Sequence, residues 1–535
     1  MTGTDERATV STDHETATPS ERRTGFVDSL DEGHRWLAAA LGIAAIVATV
    51  YYATHPYPAY GAGLYLAIAE QIVAHGYQMP ATIPHYTAGG VPFAYPPLMF
   101  YVTAVLVDLG VDPVVLTRAL PALVTIAYLV PFYYLARAVL GSGRAAGLAT
   151  VLLAATPDVL QWHLSGGGIV RAPAFTLAVT GLYVGVNLFR TGDRRWLAPG
   201  AVLFGLTLLS HPTYSAFFGL SYLVFYAAYD RTRAGLVNGA AVATGGLTIA
   251  APWVIHVART HGVATLTGAA GTHGGFGRNL RTVAGKVLDP SASLVVVVLL
   301  AAAVAYLVWQ RRYLLPGWLG VGLVLMNEMR YVFVPAVLVA ATVLSEASRG
   351  RPGDRARRLL DWRPSRWNGA AFATVVVLAA AVGGLYAADV PVKGGQGLPA
   401  FVNDDDVAAM EWVEAETPPD AEFVVLGDGA EWFPYFTDRT MLVGPWGVEW
   451  VSPSAYDRHL DLFEELSACH AAGCLTDGLA REDVQPDYVY VPKGTYTVRG
   501  EDEHQTAVMR TTMQAVETYR LVYENDGAMI FRVES

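Results

Sequence analysis

The chain has 535 residues, 53% of them hydrophobic and only 16% charged, with a mean hydropathy of +0.34, which excludes a wholly soluble protein and points to a polytopic membrane protein. The net charge of −11 is unevenly placed: residues 389–535 hold 28 acidic and 9 basic side chains, a net of −19, which leaves +8 on the first 388. A basic-looped membrane part thus precedes an acidic soluble part, and the latter argues against nucleic acid as a partner.

Residues 1–34 are rich in Thr, Glu, Asp and Arg without apolar periodicity, and predict a disordered cytoplasmic tail. Trp36–Thr54 is long enough to cross a bilayer and no small-residue cleavage site follows it, so it reads as an uncleaved signal anchor. A mixed stretch comes next: an apolar helix-like run (Gly63–His75), a Pro/Gly/aromatic loop (Gly76–Tyr95), and Pro96-Pro97 opening a short apolar helix over 97–109. Further apolar runs lie near 116–138, 145–163, 172–189, 196–209, 212–229, 235–257, 291–309, 313–327, 329–346 and 369–388.

Arginines set the expected orientation. Arg137/Arg144, Arg190/Arg194/Arg195, Arg231/Arg233, Arg311/Arg312 and the cluster Arg349–Arg366 fall in alternate loops, which predicts those loops to be cytoplasmic. Parity then forbids a crossing between residues 55 and 115. That segment is expected to be one long external loop, in a transmembrane region over 35–388 with about eleven spans.

Residues 389–535 are expected to form a soluble, extracytoplasmic α/β domain. Strands are predicted over 422–426 and 488–491, a hairpin from 521–523 to 529–533 around Asn525-Asp526-Gly527, and helices over 407–416 and 456–466. Cys469 and Cys474, the only cysteines, suit a short disulfide loop in an oxidising compartment; two free thiols are the alternative. No Walker-type glycine loop, HExxH or GxSxG occurs.

Several short motifs carry a resemblance. GlyLeuTyrLeuAlaIleAlaGlu (63–70), Gly76, Pro80 and TyrProProLeu (95–98) resemble the first external loop of the GT-C membrane glycosyltransferases, a class that includes protein O-mannosyltransferases, oligosaccharyltransferases and lipid A aminoarabinose transferases. ThrArgAlaLeuProAlaLeu (117–123), AlaThrProAsp (155–158) up to ArgAlaPro (171–173), SerHisPro (210–212), AsnGluMetArgTyr (327–331), the segment 412–421 and TyrPheThrAspArg (435–439) look like later parts of that pattern. The acidic, lysine-poor soluble part also resembles proteins of salt-loving archaea.

The resemblance implies a GT-C-like helical fold and displacement of a lipid-linked phosphate by an acceptor. The implied partners are the bilayer, a polyprenyl-phosphate sugar donor, and a glycan, lipid or protein acceptor. No redox cofactor is implied. In the family a first-loop carboxylate activates the acceptor, sometimes through a metal, and a basic residue meets the departing phosphate. Here Tyr60, Gly61 and Ala62 stand where that aspartate is usual, so the first-loop acids do not support a divalent cation.

Glu70 and His85 are therefore the candidate catalytic groups, Glu70 as the only carboxylate of the loop before Asp108 and His85 as a base or phosphate ligand. Both also read as ordinary structural residues, a helix-face glutamate reaching water and a hydrogen-bonded loop histidine. Tyr86 and Tyr95 are candidate substrate contacts beside them. Arg171, with His163 and Gly166-Gly167-Gly168, suits a phosphate, or headgroups if it merely snorkels. Glu328 and Arg330 lie between two apolar runs with no cytoplasmic reason to be charged; they read as a turn-capping ion pair or, because Arg330 matches the family's late external arginine, as a site where Arg330 is the first candidate ligand of the lipid phosphate. His211 is a further candidate at a tight turn before Pro212. Two competing readings are a non-catalytic relative that binds lipid-linked sugars and, less favoured because spans carry few charges and no repeat, a transporter.

Overall fold

The computed structural model describes residues 19–271, 294–348, 364–392, 397–505 and 507–534. Among them, six helices are long and apolar enough to cross a membrane: Glu32–Thr54, Pro113–Leu140, Gly168–Thr191, Arg233–Thr260, Met329–Ala347 and Gly369–Ala387. Shorter apolar helices fill the gaps, including Ala62–Ala74, Leu98–Asp108 and Gly143–Ala154. Length and apolarity mark six of the roughly eleven spans expected from the arginine pattern.

Two boundaries differ from the sequence reading. The first helix starts at Pro19, so half of the expected tail continues the helix; residues 1–18 lie outside the described residues. The apolar run 145–163 is not one helix. It ends at Ala154 and restarts at Pro157, because a proline has no N–H to donate and fits only a first turn. The arginine cluster 349–366 and most of the turn 259–290 lie largely outside the described residues.

The segment between the first two long helices folds back on itself. Helices Ala62–Ala74 and Leu98–Asp108 pack together, and a two-stranded antiparallel pair, Thr82–Ile83 with Val91–Pro92, closes the loop between them. The Tyr77 hydroxyl donates to Asp108 Oδ2 at 2.9 Å, tying the far ends of the two helices. Apolar spacing along Ala62–Ala74 buries Leu64, Leu66, Ile68, Ala69 and Ile72 and leaves Glu70 at the edge.

The C-terminal part is built on a five-stranded sheet in the order 440–441, 422–425, 488–492, 528–533, 519–524. The first three strands are parallel; 528–533 is antiparallel to both its neighbours. Asn525 Oδ1 accepts from the amides of Gly527 and Ala528 at 2.9 and 2.8 Å, which fixes the predicted hairpin turn. A second hairpin, Gly494–Val498 with Glu501–Gln505, turns through Arg499 and Gly500, both at positive φ. The helix Asp404–Glu416 starts on a capping box from Asn403 and Asp406. Cys469 and Cys474 form a disulfide between helices Pro453–Ser467 and Ala472–Arg481.

These two parts share one apolar core. Leu66, Ile68, Tyr86, Phe93 and Phe100 of the loop are buried in a single cluster with Phe423, Trp432, Phe433 and Phe531 of the C-terminal part, and Val114 packs against the same cluster. Each such side chain contributes about 1.5–3 kcal/mol on burial. Polar contacts fix the register: Met441 N–H donates to His85 O at 2.8 Å and Trp432 Nε1–H to Pro58 O at 3.1 Å. Backbone meets backbone at Gly63, where a Cβ would stand 2.3 Å from Glu431 O.

Gly63→Ala is expected to cost about 1–3 kcal/mol through overpacking, lowering the thermal midpoint of the detergent-solubilised protein. Gly89→Ala, where a Cβ meets nothing within 4 Å, is the control and should change little.

Candidate functional site

A cavity of about 740 Å³ lies between the membrane helices, the first loop and the C-terminal part. Its walls combine aromatic rings with charged groups from both ends of the sequence.

The membrane helices supply Arg171 and Arg330, and the C-terminal hairpin adds Arg499 to the cavity wall. Arg171 lines the cavity from the first turn of Gly168–Thr191, with Nη1 3.5 Å from Tyr60 O and its guanidinium 4.7 Å from the Trp162 ring centroid. Arg330 stands behind the wall, 5% exposed, 5.1 Å from the same Trp162 ring and 5.0 and 5.5 Å from Tyr331 and Tyr214. It pairs with Glu328, which does line the cavity. One indole is therefore shared by two guanidiniums. The buried Nε of each arginine has no hydrogen-bond partner among the described residues, an uncommon state for a buried donor. The placement of Glu328 and Arg330 follows from a π-helical turn over Gly322–Met326, stopped by Asn327 at φ 52°.

His211 also lines the cavity, its Nδ1 3.1 Å from Thr213 Oγ1, which in turn meets the Tyr331 hydroxyl at 2.5 Å. His163 is fully buried behind the wall with Nε2 2.6 Å from the Tyr214 hydroxyl. The three glycines 166–168 do not form an open amide cradle. Gly166 N–H donates to Ala59 O at 2.9 Å and Gly168 N–H to Ser165 O at 2.8 Å. A Cβ on Gly167 would lie 1.7 Å from Arg171 Nη1, and one on Gly166 2.4 Å from Ala62 Cβ. Their smallness lets the Gly168–Thr191 helix and Arg171 approach the Tyr60–Ala62 turn.

Besides Glu328, the cavity carboxylates come from the C-terminal part: Asp428, Glu431 and Glu449, none of which the sequence reading singled out. Glu431 is fully buried yet is a lining residue of the cavity. Its Oε1 accepts from the Gly61 amide and its Oε2 from Trp446 Nε1–H at 3.0 Å. Burial pushes its carboxyl up to about 8; the Gly61 amide opposes this and nearby Asp428 adds to it. Asp428 accepts from the amides of Arg499 and Gly500 at 2.9 and 2.7 Å, and burial raises its carboxyl against those bonds. Glu449 accepts from the Tyr95 hydroxyl, and burial raises it as well. The available sequence signal was GlyAspGlyAlaGluTrp (427–432), two acids just past a strand end.

The remaining candidates lie elsewhere. Glu70 is outside the cavity wall and accepts from the Tyr435 hydroxyl at 3.0 Å. His85, at φ 71°, is also outside it, with Nδ1 3.1 Å from Thr440 Oγ1 and Nε2 3.2 Å from Asp438 Oδ1. Both join the loop to the C-terminal part. Tyr86 is fully buried and donates to Glu431 O at 3.1 Å. Tyr95 lines the cavity, its ring 5.0 Å from that of Trp450. Among the described residues, no group of three His, Cys, Asp or Glu is placed to hold a metal ion.

A family model described as "6-pyruvoyl-tetrahydropterin synthase related domain; membrane protein" matches residues 94–268, under half of the chain. No curated protein matches it in sequence. Solved structures do match in shape. The archaeal oligosaccharyltransferase AglB of Archaeoglobus fulgidus, in complex with an inhibitory peptide and a dolichol-phosphate, aligns at 13% identity and TM-score 0.55, over 91% of this chain and 79% of its own. ArnT of Cupriavidus metallidurans, bound to undecaprenyl phosphate, aligns at 15% and 0.52, over 93% and 97%. The arabinofuranosyltransferase AftD from Mycobacteria aligns at 16% and 0.52, over 94% of this chain and 40% of its own. The fold is that of the GT-C glycosyltransferases. At these identities the likeness is one of fold, and with the apolar helices it makes this GT-C-fold chain a multi-pass membrane protein.

Folded Glu431 keeps its proton up to about pH 8, whereas the unfolded chain loses it near 4.5. Its contribution is whole below the unfolded value and drains as pH rises toward the folded one. The thermal midpoint, followed by tryptophan fluorescence, is expected to fall between pH 5 and 8, with ~1–3 kcal/mol of that loss absent in Glu431→Gln.

Proposed function

We propose that this chain is a membrane glycosyltransferase that moves a sugar from a polyprenyl-phosphate donor to an acceptor on the outer face of the membrane. The observation that supports the reading best is one cavity lined by charge of both signs: Arg171 and Glu328 from the membrane part, Arg499, Asp428, Glu431 and Glu449 from the C-terminal part. A displacement at a sugar carbon needs both, a cation for the departing phosphate and a base for the attacking acceptor. Arg171, at the wall with an unused buried Nε, is the phosphate ligand in this reading, with His211 beside it. Arg330 and Glu328 act behind it through the shared Trp162 ring. Aromatic side chains such as Tyr65, Tyr95 and Trp446 give the sugar and acceptor apolar faces to lie on.

The arginine-bearing loops support a cytoplasmic N-terminus and an external C-terminal part in this reading. The missing carboxylate at Tyr60–Ala62 favours a second reading, a binder of lipid-linked sugars without turnover. The two are separated by incubating the purified protein with polyprenyl-phosphate sugars and following release of the lipid phosphate; binding without release supports the second.

Arg171→Ala is expected to weaken binding of undecaprenyl or dolichyl phosphate in nanodiscs by about 10–100-fold, the loss of a charge-assisted contact. Trp162→Ala should weaken it by a smaller factor, since both guanidiniums then lose their platform. Unchanged affinity in Arg171→Ala removes that residue from the phosphate site.

A further inference from the structure

We propose that the catalytic base is Glu431, a residue of the C-terminal part acting across the interface, and that its substrate is the hydroxyl of an uncharged, carbohydrate-like acceptor. This assignment rests on the glycosyl-transfer reading above. Its support is geometric. Glu431 is a lining residue of the cavity, and each carboxylate oxygen is held by one fixed donor, the Gly61 amide or the Trp446 indole N–H. Each oxygen keeps a second lone pair, and no arginine or lysine among the described residues closes an ion pair with it.

The other cavity carboxylates are engaged differently. Asp428 is taken up by the Arg499–Gly500 turn, and Glu449 by the Tyr95 hydroxyl. Asp428 adds negative potential around Glu431, which disfavours a phosphorylated or carboxylated acceptor and leaves a neutral hydroxyl compound. The carboxylate also meets the chain at Gly61, inside the Tyr60–Ala62 turn that carries no acid of its own.

In the step, the acceptor O–H gives its proton to a Glu431 carboxylate oxygen and its oxygen forms the bond to the anomeric carbon. The anomeric C–O bond to phosphate breaks with its electron pair leaving on the phosphate, beside Arg171. The products are a glycoside, a polyprenyl phosphate and protonated Glu431, which returns its proton to solvent.

A carboxyl raised to about 8 is a strong base once ionised but is mostly protonated at pH 7, so the transfer rate should rise with pH through that region. The titratable and charged groups around Glu431 are Asp428 on its own turn, Arg171 from the membrane helices, Arg499 from the 494–505 hairpin, and Tyr60, Tyr65 and Tyr86 from the first loop. These loop tyrosines are uncharged across that range, and Asp428 acts in the opposite sense to the arginines.

The test uses the full chain in nanodiscs, radiolabelled dolichyl-phosphate hexose and pentose donors, and octyl glucoside as a neutral hydroxyl acceptor. Glu431→Gln is expected to slow transfer at least about 100-fold, with undecaprenyl-phosphate binding within twofold of wild type and the rising limb near pH 8 gone. A purely structural glutamate would lower binding and transfer together, and that result overturns the assignment. Transfer within threefold of wild type in a folded Glu431→Gln also overturns it, while leaving glycosyl transfer standing. Should Glu431→Gln fail to fold, Glu431→Asp is read instead: a rate down about tenfold with the pH limb displaced supports the base, and a wild-type rate and profile overturns it. A wild-type protein that binds the donors and releases no lipid phosphate overturns both the transfer reading and this one.

Discussion

The contact on which the site depends is the burial of the first loop against the C-terminal part. Gly63 lies directly on the Glu431–Trp432 backbone, and the apolar residues around it form one core with the sheet. Neither half has a complete cavity wall alone. The membrane part contributes Trp162, Arg171, His211 and Glu328, the loop Tyr65 and Tyr95, and the C-terminal part Asp428, Glu431, Glu449 and Arg499. Overpacking at this junction therefore acts on the cavity as well as on stability.

The same burial accounts for the unusual electrostatics. A glutamate in water ionises near its ordinary value, but Glu431 is sealed under the Tyr60–Ala62 turn and loses hydration that two N–H donors replace only in part. Arg171 and Arg330 face the complementary problem and meet it by lying on the Trp162 ring. Among the described residues, neither Glu431 nor Arg171 is tied up in a direct arginine–carboxylate pair across the cavity. Such a pair would consume the groups a polar ligand needs.

Much of the frame was legible from patterns that depend on near neighbours. Apolar runs located the long helices, Pro96-Pro97 marked the entry to Leu98–Asp108, and Asn525-Asp526-Gly527 located a hairpin. The brevity of 97–109 and the alternating arginines pointed to a loop that turns back, and that loop packs with the C-terminal part. Less was legible where distant residues decide the outcome. Glu70 stood out because it is the lone acid of its loop, yet its helix turns the opposite face to the core. Gly166–Gly168 reads as an anion cradle until the Tyr60–Ala62 turn is seen pressed against it. Asp428, Glu431 and Glu449 look like ordinary members of an acidic surface, and only burial against a segment some 370 residues away makes Glu431 exceptional. The two-residue strand 440–441 and the hairpin 494–505 are too short or too polar to carry an alternation signal.

That separation along the chain has a consequence for biosynthesis. The Tyr60–Ala62 turn leaves the ribosome roughly tens of seconds before Glu431 at ordinary elongation rates. During that interval Leu66, Ile68 and Phe100 have no sheet to cover them. Until the last quarter of the polypeptide is made, the apolar faces of helices Ala62–Ala74 and Leu98–Asp108 must be covered by something other than the sheet they finally pack on.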